Sequence, residues 1–194
     1  MKLSNIAATA LAYLIFITLL TGLLYPLAVT LSAKFIFPEQ ADGSLIIGKD
    51  GCNGSFLIGQ DFKEDKFFHG RPSCSSYDPM GSGASNLSVI SASLKTETDR
   101  RRDEWHKKYN VNSMPEEMLY ASGSGLDPEI SMEAALAQAG RVSKARGYNE
   151  MQKKQLKEYI KAKAVSTAIS HSVNVVKLNL MLGNAGIPKI ADRN

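Results

Sequence analysis

One feature at the start of this chain constrains it most: between Lys2 and Lys34 there is no charged residue. The run from Ile6 to Val29, IAATALAYLIFITLLTGLLYPLAV, is long enough as a helix, at about 1.5 Å per residue, to cross a hydrocarbon core of about 30 Å. In lipid a lone segment must satisfy its own backbone polar groups, and a helix does so without neighbours. A cleaved export signal has an apolar core of about 7–15 residues and a small-residue cleavage site. Here the run is longer, and Thr30-Leu31-Ser32-Ala33 only loosely imitates such a site. Residues 1–33 therefore read as a retained anchor, with a transmembrane helix at about 6–30. Flanking charge nearly balances, with Lys2 on one side and Lys34 and Lys49 on the other. The short N-terminal tail before a single apolar helix favours export of the remainder.

That remainder reads as one small mixed α+β domain over residues 34–182, with a C-terminal tail at 183–194. The whole chain's balance of 44% hydrophobic and 22% charged residues excludes wholesale disorder. Phe35-Ile36-Phe37-Pro38 reads as an exit at the headgroup level, where aromatics settle and a proline stops the helix. SLIIG (Ser44–Gly48) and SFLIG (Ser55–Gly59), separated by Lys49-Asp50-Gly51, suggest a hairpin. The Gly-, Pro- and Ser-dense stretch 70–86 predicts a looped excursion, as does 120–131. Helical spacing with a weakly apolar face predicts a helix over 89–109. Ser131 as N-cap, basic residues in the last turns and Gly147 as stop predict another over 132–146. Asn149 caps a third through about Val165, and the alternation in VNVVKLNLML (Val173–Leu182) predicts a strand.

Two cysteines, Cys52 and Cys74, lie in turn sequence. In an exported domain they suit one disulfide, closing a loop of about two dozen residues for roughly 3 kcal/mol; two unrelated thiols suit the sequence equally well.

Recognisable catalytic chemistry is missing. Gly81–Gly83 and Gly123–Gly125 have no Lys-Ser/Thr behind them, so neither is a Walker loop, and no Asp-Lys-Thr-Gly segment offers an aspartyl phosphate. His69, His106 and His171 lack partners at zinc-ligand spacing, and there is no Gly-x-Ser-x-Gly elbow. Neither enzymatic activity nor a metal is expected. The basic runs at 100–108 and 153–163 alternate with carboxylates and read as solvated helix faces, not as a nucleic-acid surface. Contact with anionic lipid headgroups is the alternative for a tethered domain.

A series of strings in fixed order adds what no single one carries. TGLLYPLAVT (Thr21–Thr30), GSLI (Gly43–Ile46), IGQDF (Ile58–Phe62) and FFHGRPS (Phe67–Ser73) come first. YDP (Tyr77–Pro79), SGASNL (Ser82–Leu87), ASGSGLDPEIS (Ala121–Ser131), RVSKARG (Arg141–Gly147) and VNVVKLNLML follow. Together they resemble the C subunit of the Kdp-type potassium-transporting P-type ATPase, from the anchor to Leu182. After SGASNL the chain departs from the family, with Ser88-Val89-Ile90 in place of a proline-bearing continuation.

The resemblance implies a non-catalytic accessory subunit of an ATP-driven, high-affinity potassium-uptake complex in the bacterial inner membrane. Its partners would be a channel-like subunit, an ATP-hydrolysing subunit, a small accessory subunit and the lipid bilayer. It implies a catalytic chaperone that stabilises assembly and raises the pump subunit's affinity for ATP through a ternary complex. The candidate contacts are Ser82, Gly83, Ser85, Asn86, Ser122, Gly123, Ser124, Gly125 and Asp127, whose N–H groups and hydroxyls can form an anion-holding nest. With the domain on the outer face, ATP is out of reach. The same loops are then an interface, with Phe67, Phe68, Arg71 and Tyr77 as anchors. In the anchor, Thr21-Gly22 and Tyr25-Pro26 mark the face expected to dock on the channel-like subunit. The alternative from another class is an independent envelope-anchored binding protein or enzyme.

Overall fold

The computed structural model describes residues 3–48, 51–109, 111, 113–166 and 171–185. The chain divides into two compact units, Met1–Ser55 and Phe56–Asn194.

In the first unit, helix α1 (Leu3–Leu19) passes through a π-helical turn (Leu20–Leu24) into α2 (Tyr25–Ile36). The stretch Ser4–Ile36, 33 residues, is long and apolar enough to cross a membrane, and none of its hydrophobic window is buried. The π turn has an identifiable cause. Pro26 has no N–H for the Gly22 carbonyl, and its ring would collide with that carbonyl in a regular α-helix. The preceding Tyr25 N–H reaches back to the Leu20 carbonyl instead, widening the helix by one residue. Hydroxyls along the helix bond its own carbonyls, Thr21 to Ile17 and Ser32 to Ala28, each at 2.7 Å, leaving little unsatisfied for an apolar solvent.

A short helix α3 (Pro38–Ala41) leads to the hairpin of β1 (Leu45–Gly48) and β2 (Gly51–Ser55). The expected hairpin is present, but its second strand is GCNGS, not SFLIG. Gly48 pairs with Gly51, so the strands flank the connection directly and pairing ends at Ser55, with a register shift between Ile46 and Ile47. The turn residues Lys49 and Asp50 lie outside the described residues.

The second unit joins helices α4 (Ala92–Tyr109), α5 (Met132–Ala145), α6 (Glu150–Lys163) and α7 (Val175–Ala185) to three short strands. Strands β3 (Glu129–Ser131), β4 (Val165–Ser166) and β5 (His171–Asn174) form an antiparallel sheet in the order β3-β5-β4. This is the α+β arrangement expected. The local signals for α5 and α6 act as read. The Ser131 hydroxyl accepts from the Ala134 amide at 3.0 Å, Gly147 turns at φ +67°, and Asn149 forms a capping box with Gln152. Helix α4 starts at Ala92 because Ser91 caps it, accepting from the Leu94 amide. Val89 and Ile90, expected inside it, are exposed.

Alanines 134, 135 and 139 and Val142 of α5 face Leu156, Tyr159 and Ile160 of α6, with Leu178 and Leu182 of α7 completing the core. The small alanines let the helices approach closely.

The predicted strand over Val173–Leu182 is a correction. Only its start is strand; from Val175 the chain is helical. Val175, Val176, Leu178, Asn179 and Leu182 are buried, a three-to-four spacing, and Asn174 caps the helix by accepting from the Lys177 amide. Alternation misled because Asn179 counts as an outward residue by type yet is buried.

Candidate functional site

The segment from Glu64 to Ser73 has no helix or strand, so its backbone groups need other partners. They find them in side chains. Asn179 accepts from the Phe68 amide and donates to its carbonyl, both at 2.8 Å. Gln138 brackets His69 in the same manner, at 2.8 and 3.0 Å. Arg141 donates to the carbonyls of Asp65 and Phe67, and Arg146 to that of Lys66. Phe68, expected as an interface anchor, is fully buried: it belongs to the core. Phe67 is half-buried and lies against Phe62.

Beyond this segment the two glycine- and serine-rich loops are laced together. The Gly83 amide and the Ser82 hydroxyl both donate to the Ser124 carbonyl at 2.9 Å. Ser73 donates to the Gly125 carbonyl at 2.7 Å and accepts from the Tyr77 amide. The Ser122 amide donates to the Pro72 carbonyl, and the Gly59 amide to that of Leu126. Arg71 pairs with Asp127 at 3.1 Å, while the Tyr77 hydroxyl donates to the Arg71 carbonyl at 2.5 Å. Burial, reinforced by Asp61 and Asp127, pushes the Tyr77 phenol up to about 12. Arg71 and Tyr77 are thus engaged within the domain, not held out as free anchors.

Sequence distance had separated the predicted residues; the fold joins most of them. Ser82, Gly83, Ser124 and Gly125 meet directly, and Asp127 adjoins through Arg71. Gly125 is required as glycine, with φ +70° and an added Cβ 2.5 Å from the Ser75 Oγ and 2.9 Å from the Gly83 oxygen. Ser122 is buried, Gly123 is exposed with open space about it, and Ser85 and Asn86 are exposed at the outer end. The amides of Gly83, Ser122 and Leu126 are spent on acceptors within the loops.

A cavity of about 400 Å³ opens beside α4, between His69, Arg71, Tyr77, Arg101, Trp105 and Tyr109. Arg101 is correspondingly not a solvated residue: its side chain is 17% exposed and donates to the Leu119 carbonyl at 2.7 Å. His69 borders the cavity with Nε2 3.3 Å from Arg141 Nη1. The same nitrogen lies 3.3 Å from the Glu64 carbonyl, so one neighbour of Nε2 is a donor and the other an acceptor. Burial and the adjacent Arg141 lower the His69 pKa to about 4.

Gln138, Arg141 and Asn179 were missed as positioning residues. A signal existed: Gln138 and Arg141 interrupt the alanine face of α5 at helical spacing, where a polar side chain needs a buried partner. Cys74 carries a free, exposed thiol. The Cys52 side chain lies outside those described.

A helix long and apolar enough to cross a membrane precedes a small α+β unit whose glycine- and serine-rich loops are laced together. The family profile of the K+-transporting ATPase c chain, KdpC, matches residues 7–184. A potassium-transporting ATPase KdpC subunit of Rhodopseudomonas palustris (strain BisB5) is 42% identical over 188 residues, covering 89% of this chain and 94% of that protein. The protein of the same name from Pectobacterium atrosepticum is 42% identical, covering 90% and 94%. That of R. palustris strain BisB18 is 43% identical, covering 91% and 96%. The chain belongs to the KdpC family.

Proposed function

We propose that this chain is a non-catalytic subunit of an ATP-driven potassium-uptake pump, held in the bacterial inner membrane by Ser4–Ile36 with its α+β unit on the outer face. There it stabilises the association of a channel-like subunit with the ATP-hydrolysing subunit, beside a small accessory subunit. The observation that carries this reading is the lacing of loop 82–86 to loop 122–127, in which the Gly83 amide and the Ser82 hydroxyl both bond the Ser124 carbonyl. Such a surface is pre-formed for docking and loses little entropy on binding a partner. Ser85, Asn86 and Gly123 present its exposed edge.

A raised affinity for ATP follows without contact to the nucleotide. A subunit that binds the ATP-loaded pump more tightly than the empty pump raises ATP affinity by the same factor, through linkage. The role of catalytic chaperone is therefore compatible with an outward domain.

The test is to purify the pump with and without this chain and measure potassium-stimulated ATP hydrolysis against ATP concentration. Loss of assembly, or a higher KM for ATP without the chain, is expected. Gly123→Arg, placed where a side chain meets nothing within the domain, is expected to reproduce the defect while the chain remains folded. A pump that assembles and hydrolyses ATP equally well without the chain would refute the reading.

A further inference from the structure

The cavity beside α4 is edged by Arg71, Ser73 and Tyr77 of the laced segment, and its cations outnumber its carboxylates. Lys63, Arg71, Arg100, Arg101 and Lys108 line it with Asp61 and Glu104. Asp61 pairs with Lys63, Glu104 with Arg100, Glu97 with Arg100 and Arg101, and Asp127 with Arg71, which leaves Lys108 with no carboxylate at ion-pair distance among the described residues. Behind His69 lies Arg141, buried, with its Nη atoms on the carbonyls of Asp65 and Phe67 and on Gln138 Oε1. Among the described residues no carboxylate lies at ion-pair distance from it. Its guanidinium sits 4.9 Å from the Tyr109 ring centre and 5.8 Å from that of Trp105, and stays charged at any working pH. The neutral His69 beside it adds no compensating charge. At the cavity's edge, the Arg71 Nε is buried and has no hydrogen-bond acceptor. A buried donor left so is a group awaiting an acceptor.

We propose that this cavity seats the carboxylate of an aspartate or glutamate presented on a loop of a partner subunit, an inference that rests on the reading of this chain as a pump subunit. Charge complementarity selects an acidic occupant. Planar guanidinium groups match a carboxylate's two oxygens, and the Trp105 and Tyr109 rings offer apolar walls for its methylenes. The rim residues Arg100 and Lys108 are more exposed than Arg101 and meet the partner first.

The experiment uses the assembled complex in detergent and a carbodiimide, which joins an amine to a carboxylate in direct contact. Cross-linked peptides linking Lys108 or Lys63 to an Asp or Glu of a partner subunit are expected. In parallel, Arg100→Gln with Lys108→Gln is compared with Arg102→Gln, which removes a charge from the same helix outside the cavity. Each cavity substitution should weaken retention by partner subunits by up to about fivefold, the worth of an exposed ion pair, with the loss fading at high salt. Arg102→Gln should change little. If the complex forms but Lys63 and Lys108 link only within this chain, or the cavity variants match Arg102→Gln, the inference is overturned while the subunit reading stands. If the unaltered chain recovers no pump subunit, the subunit reading fails first.

Discussion

Asn179, on α7, holds Phe68 by both polar groups of its backbone: the amide and the carbonyl each meet its side-chain amide at 2.8 Å, across 111 residues of sequence. Both residues are fully or nearly fully buried. Asn179→Leu keeps the volume but orphans a buried donor and a buried acceptor, each costing about 1–3 kcal/mol. A loss of about 2–5 kcal/mol in denaturant unfolding is expected. Asn179→Asp should be no milder near neutral pH, because its second oxygen would face the Phe68 carbonyl and its charge would be buried.

Gly125→Ala tests the lacing of the loops. At φ +70° a Cβ is disfavoured by about 1 kcal/mol, and it would also press on the Gly83 carbonyl oxygen. Unfolding should be easier by about 2 kcal/mol, and amide exchange at Gly83 should quicken first. Gly123→Ala, with nothing within 4 Å of the new methyl, should leave both readings unchanged.

His69 makes stability depend on pH in a defined window. Burial first, then Arg141 on α5 and Lys108 on α4, lower its folded pKa to about 4, against opposing effects of the Glu64 carbonyl and Asp65. The folded state binds the proton less readily than the unfolded state, whose pKa is near the ordinary 6.5. Stability is therefore unaffected by this group above about pH 6.5, falls as pH drops towards 4, and levels off below. The whole change is about 3 kcal/mol at most. The difference in unfolding free energy between the unaltered protein and His69→Gln, followed from pH 7 to 4, should narrow on acidification.

Gly22→Leu addresses the anchor. Nothing lies within 4 Å of a Cβ at Gly22, so the helix itself accepts the larger residue. A partner helix packed against the π turn would not. Co-purification with the channel-like subunit should fall while membrane insertion of the chain is unchanged. Equal recovery in detergent would place the contact elsewhere on the helix.

Much of this fold was legible because local chemistry and tertiary structure agree in it. Ser131, Gly147 and Asn149 delimit α5 and α6 as capping rules require, and the uncharged start dictates a helix whatever follows. Legibility failed where a residue's type and its environment diverge. Asn179 is polar and buried, which turned the repeat of α7 into an apparent strand alternation. Arg141 looked like a favourable charge near a helix end, whereas its length carries it to carbonyls more than seventy positions earlier. The glycine and serine content of the two loops singled them out together, and Ser82, Gly83, Ser124 and Gly125 do meet. Their mutual bonding depends on contacts between segments distant in sequence, which spacing along the chain does not encode.

The central claim, a subunit anchored by one helix and acting from the outer face, is tested most directly by protease added to intact spheroplasts carrying a C-terminally tagged chain. The account predicts that the tag is lost while a cytoplasmic control protein survives. A tag that persists until detergent opens the membrane, and is then cleaved, would contradict it and put the unit on the side where ATP is present.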